Sequence, residues 1–256
     1  TAAFMDSVPM VIISGQVSTL FSKKKMKIRQ LGFQEFDIIS SAKPTTKYAV
    51  HLDNKHKVQY ELEKACYLAK NGRPGPVWLD IPLDIQNSDI KIQKNKSFFY
   101  KNLNILSSNP NPKEKEINLV IKNLKKSKRP LIVFGHGTFL SGAKKHARKF
   151  INNFKIPCQS TWNSIDLIPD KNKYYFGRAN SYGPRYPNFI IQNADYILSI
   201  GARLGVQHTG YNVKAFARNA VLHMVDLDIN EAKKPKLKVD KFIKSDAKKF
   251  IEKLNS

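Results

Sequence analysis

Short apolar segments alternate with amphipathic helical segments along the chain, and this alternation limits the possible folds more than any other feature. The β-branched run at residues 9–14 is followed by Gly15 and is typical of a buried parallel strand. Residues 58–71 carry apolar side chains at the spacing i, i+3, i+4, i+7, which predicts an amphipathic helix that ends at Gly72. The inward positions of that helix are Leu62, Ala65, Cys66 and Ala69. A second apolar strand at residues 76–81 stops at Pro82, and strand, helix and strand together predict a parallel sheet.

The second half of the chain continues the same alternation. Helices are predicted at about residues 113–126, 141–154 and 246–254, and strands at residues 131–134, 156–159, 196–200 and 221–225. The last helix turns Ala247, Phe250, Ile251 and Leu254 inward. This order predicts an open, doubly wound, Rossmann-like α/β domain.

Between these parts the apolar periodicity fades. Residues 87–112 are rich in Lys, Asn, Ser and Pro and end in Ser107-Ser108-Asn109-Pro110-Asn111-Pro112, a composition typical of an interdomain linker. We therefore predict a partial parallel-sheet domain at residues 1–86, a linker at 87–112 and a Rossmann-like domain at 113–256. Because the chain starts at Thr1 rather than Met and enters a strand almost at once, we expect a fragment.

The chain is strongly basic, with a formal net charge of +24 at pH 7. Such an excess can mark a nucleic-acid-binding surface, or it can be a lysine- and asparagine-rich composition spread over solvated faces. Residues 87–129 carry eleven Lys or Arg against three acidic residues, but no Arg-rich run or aromatic ladder of the RNA-binding type accompanies them. We therefore favour the second interpretation and do not expect nucleic acid as a partner.

Several other classes of protein are disfavoured. No stretch approaches the ~20 apolar residues of a membrane span, and the first residues do not form an export signal. Cys66 and Cys158 stand far apart without zinc-site spacing, which argues against a disulfide scaffold and fits a cytoplasmic setting. His136, His208 and His223 fall on different predicted elements, and no nucleophile elbow is present, so neither a metal site nor a Ser-His-Asp triad is predicted.

A glycine turn follows the first strand of the second half. Gly135-His136-Gly137 precedes a helix, where backbone N–H groups and the helix dipole could hold a phosphate. The third glycine of a GxGxxG motif is replaced by Leu140. A tight strand-to-helix turn that needs glycine explains the motif equally well, and both interpretations remain open.

Two carboxylates end the strand at residues 221–225. Asp226 and Asp228 occupy the place where acidic residues of dinucleotide-binding folds accept hydrogen bonds from ribose or adenine. Asp228 could instead cap the helix that begins with Ile229-Asn230-Glu231. Each carboxylate could perform one of these roles.

Longer strings of both halves have a recognisable order. The first half contains AFMDSVP, IISGQV, GFQE and GRPGPVWLDIP, and the second contains RPLIVFGHG, IPCQSTWNSIDLIP, NADYILSIGARLG and VDLDINEA. In this order they resemble the later half of the pyrimidine-binding domain and the central domain of thiamine-diphosphate enzymes, in particular the large subunit of acetolactate synthase.

The resemblance implies a homo-oligomeric enzyme, a dimer or tetramer, that uses thiamine diphosphate and Mg²⁺. It implies decarboxylation of a 2-keto acid and transfer of the acyl-anion equivalent to a carbonyl acceptor. In this family the activating glutamate precedes the DSxP segment, and the Mg²⁺-binding GDG motif lies in a third domain; neither occurs in this sequence. We therefore expect no catalytic residue and no metal ligand here, and no activity of the chain alone.

The resemblance also assigns residues to sites. It places Gln16, Phe33, Gln34 and Lys47 in the active-site cleft at a subunit interface. It places six residues in cofactor-binding regions: Arg73, Gly135, Gly137, Arg203, Asp226 and Asp228.

FAD is the point at which the local residues depart from the family. Acetolactate synthases hold FAD partly through an Asp-Asp-Arg and a Gly-Met-His-Gly stretch, which read Gly205-Val206-Gln207 and Asn180-Ser181-Tyr182-Gly183 here. The lost carboxylate and guanidinium remove charge-assisted hydrogen bonds worth about 1.5 to 3 kcal/mol each. We therefore expect a cleft of nucleotide-binding shape in which FAD is possible but disfavoured.

Two rival classes of function stay open on the sequence alone. One is a dinucleotide-binding module without thiamine chemistry, and the other is a basic nucleic-acid-binding protein.

Overall fold

The computed structural model describes residues 1–23, 26–102 and 109–256, and these form two compact units. Unit 1 is Thr1–Ser108 and unit 2 is Asn109–Ser256. Each unit has a parallel sheet with helices packed against it. The predicted α/β class with parallel sheets is therefore confirmed. None of the helices in the described ranges is long and apolar enough to span a membrane.

The described residues of unit 1 form a three-stranded sheet. Its strands are β1 (Met10–Gln16), β2 (Tyr48–His51) and β3 (Pro76–Pro82), and they are parallel in the order β1-β3-β2. Its helices are α1 (Ala2–Met5), α2 (Ile38–Ala42), α3 (Val58–Lys70), α4 (Leu83–Gln86) and α5 (Phe98–Lys101), with 3₁₀ turns at Thr19–Phe21, Lys43–Thr45, Lys55–Lys57 and Lys94–Lys96.

The core of unit 1 lies between α3 and the sheet. Val77 and Leu79 of β3 are fully buried against the inward stripe of α3, which includes Ala65 and Ala69. Cys66, predicted to face inward, is exposed. At about 100° per residue, Cys66 lies at the margin of a stripe centred on the positions i, i+3 and i+7, so the sheet does not cover it.

Part of the predicted linker is folded onto unit 1. Phe98 is buried, and its ring centroid lies 5.4 Å from those of Tyr60 and Tyr67 on α3. Ser97 Oγ and the Phe98 N–H both donate to a carboxylate oxygen of Glu63, at 2.6 and 2.7 Å. These contacts make residues 94–101 a packed helical segment rather than an extended connection. Residues 103–108 of the predicted linker, including Ser107 and Ser108, lie outside the described residues.

Unit 2 contains a five-stranded sheet in the part of the chain described. Its strands are β4 (Pro130–Phe134), β5 (Cys158–Ser160), β6 (Tyr196–Ile200), β7 (Val221–Asp226) and β8 (Lys241–Lys244), all parallel in the order β5-β4-β6-β7-β8. Its helices are α6 (Glu114–Lys126), α7 (His136–Leu140), α8 (Lys144–Phe154), α9 (Arg185–Asn193), α10 (Val206–Thr209) and α11 (Ala247–Asn255), with 3₁₀ turns at Trp162–Ser164, Val213–Ala215 and Ile229–Lys233.

Two separate hydrophobic cores lie on the two faces of this sheet. Ile132 and Phe134 of β4 belong to the core formed with α6, α8 and α11, whereas Leu131 and Val133 belong to the core that includes Ile191 of α9. All four β4 side chains are fully or almost fully buried. This period-two division, with helices on both faces, confirms the doubly wound domain.

The helix predicted at residues 141–154 begins three residues later in the structure, as α8, and ends at the predicted residue. Gly142 adopts φ +73°, a left-handed conformation that favours glycine, and it separates α7 from α8.

The strand order reverses between β4 and β6, and in open α/β sheets ligands bind outside the carboxyl ends of the strands at such a reversal. The carboxyl edge at β4 and β6 is therefore the first place to look for a site in unit 2.

Candidate functional site

A row of polar side chains crosses the sheet of unit 1 near the carboxyl ends of its strands. Ser14, Asp80 and His51 pair in register across β1, β3 and β2, so their side chains lie side by side on one face. Ser14 Oγ donates to Asp80 Oδ1 at 2.7 Å, and His51 Nδ1 lies 2.9 Å from Asp80 Oδ2. Asp80 is only 1% exposed. We call these three residues the polar row, a buried carboxylate with a hydrogen-bond partner on each oxygen.

Gln16 extends the polar row at the end of β1. Its Nε2 donates to the Phe36 carbonyl at 2.8 Å and to Asp80 Oδ2 at 3.2 Å, while its Oε1 accepts from the Val17 N–H at 2.9 Å. The carbonyl and the carboxylate accept hydrogen bonds, and the peptide N–H donates one. These partners allow only one orientation of the carboxamide.

The polar row changes the ionisation of both of its titratable members. The hydrogen bond to Asp80 raises the pKa of His51, against the opposing effect of burial, and the charges of Asp53 and Asp37 add to the increase. Burial alone would raise the pKa of Asp80, but hydrogen bonds from His51, Ser14 and Gln16 outweigh it and lower that pKa. Both shifts favour an ion pair between a cationic imidazole and an anionic carboxylate.

We expect His51→Gln to cost more stability in mild acid than in mild base. Because the pKa of His51 is raised on folding, its contribution to stability is fully present below the pKa of the unfolded chain, about 6.5, and is lost as the pH rises through the pKa of the folded protein. Because the pKa of Asp80 is lowered on folding, its contribution is present above about pH 3.9. The variant should therefore lose about 1 kcal/mol more at about pH 5.5 than at about pH 8.5. Urea unfolding of both proteins at the two pH values measures this difference.

The test compares the free energy of unfolding of His51→Gln with that of the unmodified protein at each pH. Burial lowers the pKa of His208 to about 4 and also lowers that of His223, so these histidines give the whole protein a pH dependence of the opposite sign. His56→Gln, at an exposed position beside α3, is the matched control and should change the free energy of unfolding by at most about 0.5 kcal/mol. A loss that is equal at both pH values would contradict the ion pair.

The loop that carries Phe33 and Gln34 approaches the same edge. The Glu35 carboxylate accepts from the backbone N–H groups of Lys23 and Leu31, at 2.7 and 2.8 Å, and so fastens the loop. Phe33 is 83% exposed, and Gln34 adopts φ +57°. Since Gln16 donates to the carbonyl two residues beyond Gln34, the structure brings these three predicted cleft residues to one edge of unit 1.

Lys47, the fourth predicted cleft residue, lies elsewhere. Its ammonium donates to the carbonyls of Leu68 and Asn71 at the end of α3, and burial lowers its pKa. Its backbone N–H donates to Pro76 at the start of β3. Because β3 has seven residues at about 3.3 Å each, Lys47 lies about 20 Å from the edge that holds Gln16. Within unit 1 the structure does not bring Lys47 and Gln16 together.

Arg73 also belongs to the amino edge of the unit 1 sheet. It precedes β3, and its Nε donates to Ser7 Oγ at 3.0 Å. The structure therefore holds Arg73 against the segment before β1 and away from the polar row.

In unit 2 the turn at Gly135 and Gly137, which is predicted to bind a cofactor, contacts the turn at Gly201. Gly135 follows β4 and Gly201 follows β6, and a Cβ built on Gly135 would lie 2.1 Å from the Gly201 carbonyl oxygen. The Gly135 N–H donates to Ile200 O and the Gly137 N–H donates to Gly201 O, both at 2.9 Å. The glycines thus allow two backbones to approach, as the tight-turn interpretation predicts, and their N–H groups are already hydrogen-bonded.

The carboxylates at the end of β7 stabilise the turn that follows. Asp228 Oδ1 accepts from the Asn230 N–H at 3.0 Å, so Asp228 caps the 3₁₀ turn, and Asp226 Oδ1 accepts from the Asp228 N–H at 3.0 Å. The cap is one of the two interpretations left open by the sequence. Asp226 and Asp228 share the carboxyl edge of the sheet with Gly135 and Gly201.

Arg203 forms part of a charged cluster at the same edge. Its Nε lies 3.9 Å from Glu231 Oε1, and the Lys234 ammonium donates to Glu231 Oε2 and to the Arg203 carbonyl. Glu231 is 8% exposed, so two cations neutralise a buried carboxylate. The sequence did not single out Glu231 or Lys234, because neither follows a strand directly.

The two stretches that depart from the flavin-binding pattern are hydrogen-bonded to each other. Ser181 donates to the Gln207 carbonyl through its backbone N–H at 2.8 Å and through its hydroxyl at 3.2 Å. The Tyr182 N–H donates to Asn180 Oδ1, and the Tyr182 side chain is 76% exposed. These contacts give both stretches a structural role within unit 2.

The three histidines considered as ligands contact different parts of unit 2. His136 Nδ1 donates to the Asn163 carbonyl at 2.7 Å, His223 Nδ1 lies 3.0 Å from Tyr196 Oη in the interior, and the ring centroid of His208 lies 6.1 Å from that of Phe216. Over residues 1–23, 26–102 and 109–256, no group of three or more His, Cys, Asp or Glu could hold a metal ion.

Comparisons with known proteins match both units. The family model for the central domain of thiamine pyrophosphate enzymes matches residues 117–254. The acetolactate synthase large subunit of Lactococcus lactis is 30% identical over 252 residues, which cover 98% of this chain and 42% of that protein. The isozyme 3 large subunit of Escherichia coli is 27% identical over 254 residues, covering 98% and 42%. The acetolactate synthase large subunit of Buchnera aphidicola subsp. Schlechtendalia chinensis is 32% identical over 228 residues, covering 88% of this chain and 38% of that protein.

The chain spans about two fifths of the length of these relatives. The matched residues 117–254 make up more than half of the chain and lie within unit 2, the doubly wound domain with two cores. The sequence resemblance to thiamine-diphosphate enzymes is thus confirmed, and the chain belongs to the thiamine pyrophosphate enzyme family.

Proposed function

We propose that this protein acts as an acetolactate-synthase-like enzyme that depends on thiamine diphosphate and Mg²⁺. It decarboxylates a 2-keto acid and transfers the remaining acyl unit to a carbonyl acceptor. The observation that carries this proposal is the similarity to acetolactate synthase large subunits over 98% of the chain, which includes unit 1 as well as the central domain. The working form is a homo-oligomer, a dimer or tetramer.

The residues of unit 1 that fit this role are Gln16, Phe33 and Gln34. Among the described residues the Val17 N–H takes one of the two acceptor positions of Gln16 Oε1, so the other is open to an N–H group of thiamine diphosphate. Phe33, on the same loop as Phe36, offers an exposed aromatic face that suits a flat heteroaromatic ring. When bound, that cofactor supplies the electron sink for decarboxylation. Residues outside this chain hold the diphosphate and Mg²⁺.

The full-length enzyme tests the proposal. With pyruvate, the simplest 2-keto acid that could supply both halves of acetolactate, we expect CO₂ release and acetolactate formation only when thiamine diphosphate and Mg²⁺ are both added. Turnover should lie in the usual enzymatic range of about 1 to 10³ s⁻¹. The 256-residue chain alone is the matched control and should be inactive. Cofactor-independent turnover, or none with a panel of 2-keto acids, would contradict the proposal.

We also propose that the central domain works without FAD. The N–H groups of Gly135 and Gly137 donate to carbonyls at the end of β6 and in the turn after it, Arg203 contacts Glu231, and Ser181 contacts Gln207. These internal contacts occupy groups that the family resemblance assigns to a flavin. A bound flavin would have to replace them with contacts of equal strength.

The visible spectrum of the purified full-length protein tests this second point. We expect no stoichiometric flavin absorption at about 450 nm, even after incubation with excess FAD and gel filtration. Thiamine-dependent turnover should be unaffected by added FAD. A stoichiometric band that survives gel filtration would show that the lost charged residues had been compensated.

A further inference from the structure

We infer that Asp80, with His51 as its counter-ion, is a positioning residue that fixes the Gln16 carboxamide with its oxygen available to a bound molecule. The inference rests on the proposed function, because it concerns the cleft that the proposal assigns to Gln16. It adds two residues, Asp80 and His51, and states which kind of group Gln16 can recognise.

The hydrogen-bond inventory of Gln16 determines that group. A carboxamide has two N–H donors and two acceptor positions on its oxygen. Asp80 Oδ2 and Phe36 O take both donors, and the Val17 N–H takes one acceptor position. The remaining acceptor on Oε1 can meet only a hydroxyl or an N–H of a bound molecule. A carbonyl or carboxylate oxygen would find no donor there.

The burial of Asp80 explains why this arrangement is stable. The side chain of Asp80 is 2% exposed, whereas that of His51 is 34% exposed. A buried carboxylate needs a counter-charge and hydrogen bonds, which His51, Ser14 and Gln16 supply together. If Gln16 rotated by half a turn, its oxygen would face Asp80 Oδ2 and Phe36 O, and acceptors would oppose acceptors. Asp80 therefore selects one of the two orientations.

A double-mutant cycle in the full-length enzyme tests the inference. Gln16→Met removes the carboxamide, and Asp80→Asn removes the negative charge and leaves one acceptor oxygen where Ser14, His51 and Gln16 now share two. Each change should lower kcat about ten- to a hundredfold, because small misplacements near reacting groups have effects of that size. If Asp80 acts through Gln16, the double variant should be no slower than the slower single variant. Losses that multiply would overturn the inference.

Asp84→Asn is the matched control. Asp84 lies just beyond the same strand, and its carboxylate accepts from the Thr19 N–H at 2.9 Å and from the Thr19 hydroxyl at 2.6 Å. The same change of carboxylate to amide should leave kcat within about twofold of the unmodified enzyme, since an amide oxygen still accepts from Thr19. An equal loss of kcat in Asp84→Asn would mean that any carboxylate change at this edge disturbs the enzyme, and it would overturn the specific role of Asp80.

Urea unfolding of the unmodified enzyme, the two single variants and the double variant provides a measurement that does not need activity. The urea midpoints of Gln16→Met and Asp80→Asn should fall by amounts that do not add in the double variant, because the two side chains share one hydrogen bond. This result would support the contact even if the full-length protein had no thiamine-dependent turnover, so the two proposals can fail separately. Additive midpoint shifts would overturn the inference.

If Asp80→Asn does not fold, Gln16→Glu tests the same hydrogen bond by changing its other partner. Its second carboxylate oxygen would face Asp80 Oδ2 and the Phe36 carbonyl, so the side chain must turn away. Since Gln16 lies at a half-buried edge, the variant can fold in that altered position. We expect kcat to fall further than in Gln16→Met. A Gln16→Glu enzyme with unchanged kcat would overturn the inference.

Discussion

Gly135→Ala should lower the free energy of unfolding of unit 2 by about 3 kcal/mol or more, with no ligand involved. The added Cβ would lie 2.1 Å from the Gly201 carbonyl oxygen and 2.2 Å from Ala202 Cα, far inside any normal contact distance. Both are backbone atoms, and the Gly201 N–H is anchored to Val225 of β7 at 2.8 Å. The ends of β4 and β6 would have to separate. Urea unfolding followed by far-UV circular dichroism measures the loss.

Gly205→Ala is the matched control for this prediction. Gly205 lies near the same edge with φ −72°, and a Cβ there would meet no heavy atom within 4 Å. We expect a change of at most about 0.5 kcal/mol, and alanine can stabilise slightly by restricting the unfolded chain. If Gly135→Ala were as stable as Gly205→Ala, the close approach of β4 and β6 would be contradicted. The turn would then have room for an anion.

The other large loss of stability is expected in the core of unit 2 between the sheet and the helices α6, α8 and α11. Phe150 on α8 is fully buried in the core that includes Phe250 and Ile251 of α11. Phe150→Ala should cost about 3 to 5 kcal/mol, since it removes a large apolar side chain and leaves a cavity that rigid neighbours fill only in part. The urea midpoint of the protein should fall accordingly, with far-UV circular dichroism as the signal.

Phe154→Ala removes the same side chain one turn later on the same helix. The Phe154 ring lies 4.7 Å from that of Phe150, but Phe154 is 44% exposed. The control should cost about 1 kcal/mol, because little apolar area returns to water and no closed cavity forms. Equal losses from the two variants would contradict the burial of α8 against α11.

The sequence is informative wherever one local period decides the structure. The predicted strand at residues 196–200 has the bounds of β6, and α3 and α6 differ from prediction by one residue at their ends. Two four-residue strands, β2 and β8, were not predicted, because Tyr48–His51 and Lys241–Lys244 are too short and polar to show a period. Pairing with β3 and β7 creates these strands. Such tertiary pairing outweighs local propensity.

α9 was missed for a different reason. Pro187 stands in its first turn, and proline usually marks a boundary in a helical pattern. The first backbone N–H groups of a helix have no partner within it, so a proline there removes no hydrogen bond. A helix that begins before its proline is easily mistaken for a loop.

In the candidate site, too, local sequence patterns do not predict which residues the fold brings together. Gln16 and the glycine turns stand out in the sequence because each belongs to a local motif. Ser14, His51 and Asp80 come from three separate segments, and only the register of the sheet brings them together. The spacing of residues along the chain does not predict that register. Periodicity likewise placed Cys66 inward, whereas the width of the covering sheet leaves it exposed.

The parallel pairing of β1 sets a delay during synthesis. β1 pairs with β3, whose first residue follows the last residue of β1 by roughly 60 positions, so at ribosomal rates of about 5 to 20 residues per second its partner emerges about 3 to 12 seconds later. Throughout that interval the backbone N–H and C=O groups of β1 have no strand to pair with, and no local hairpin can supply one. A nascent chain with this topology is therefore a natural client for chaperones that bind exposed strands at the ribosome exit.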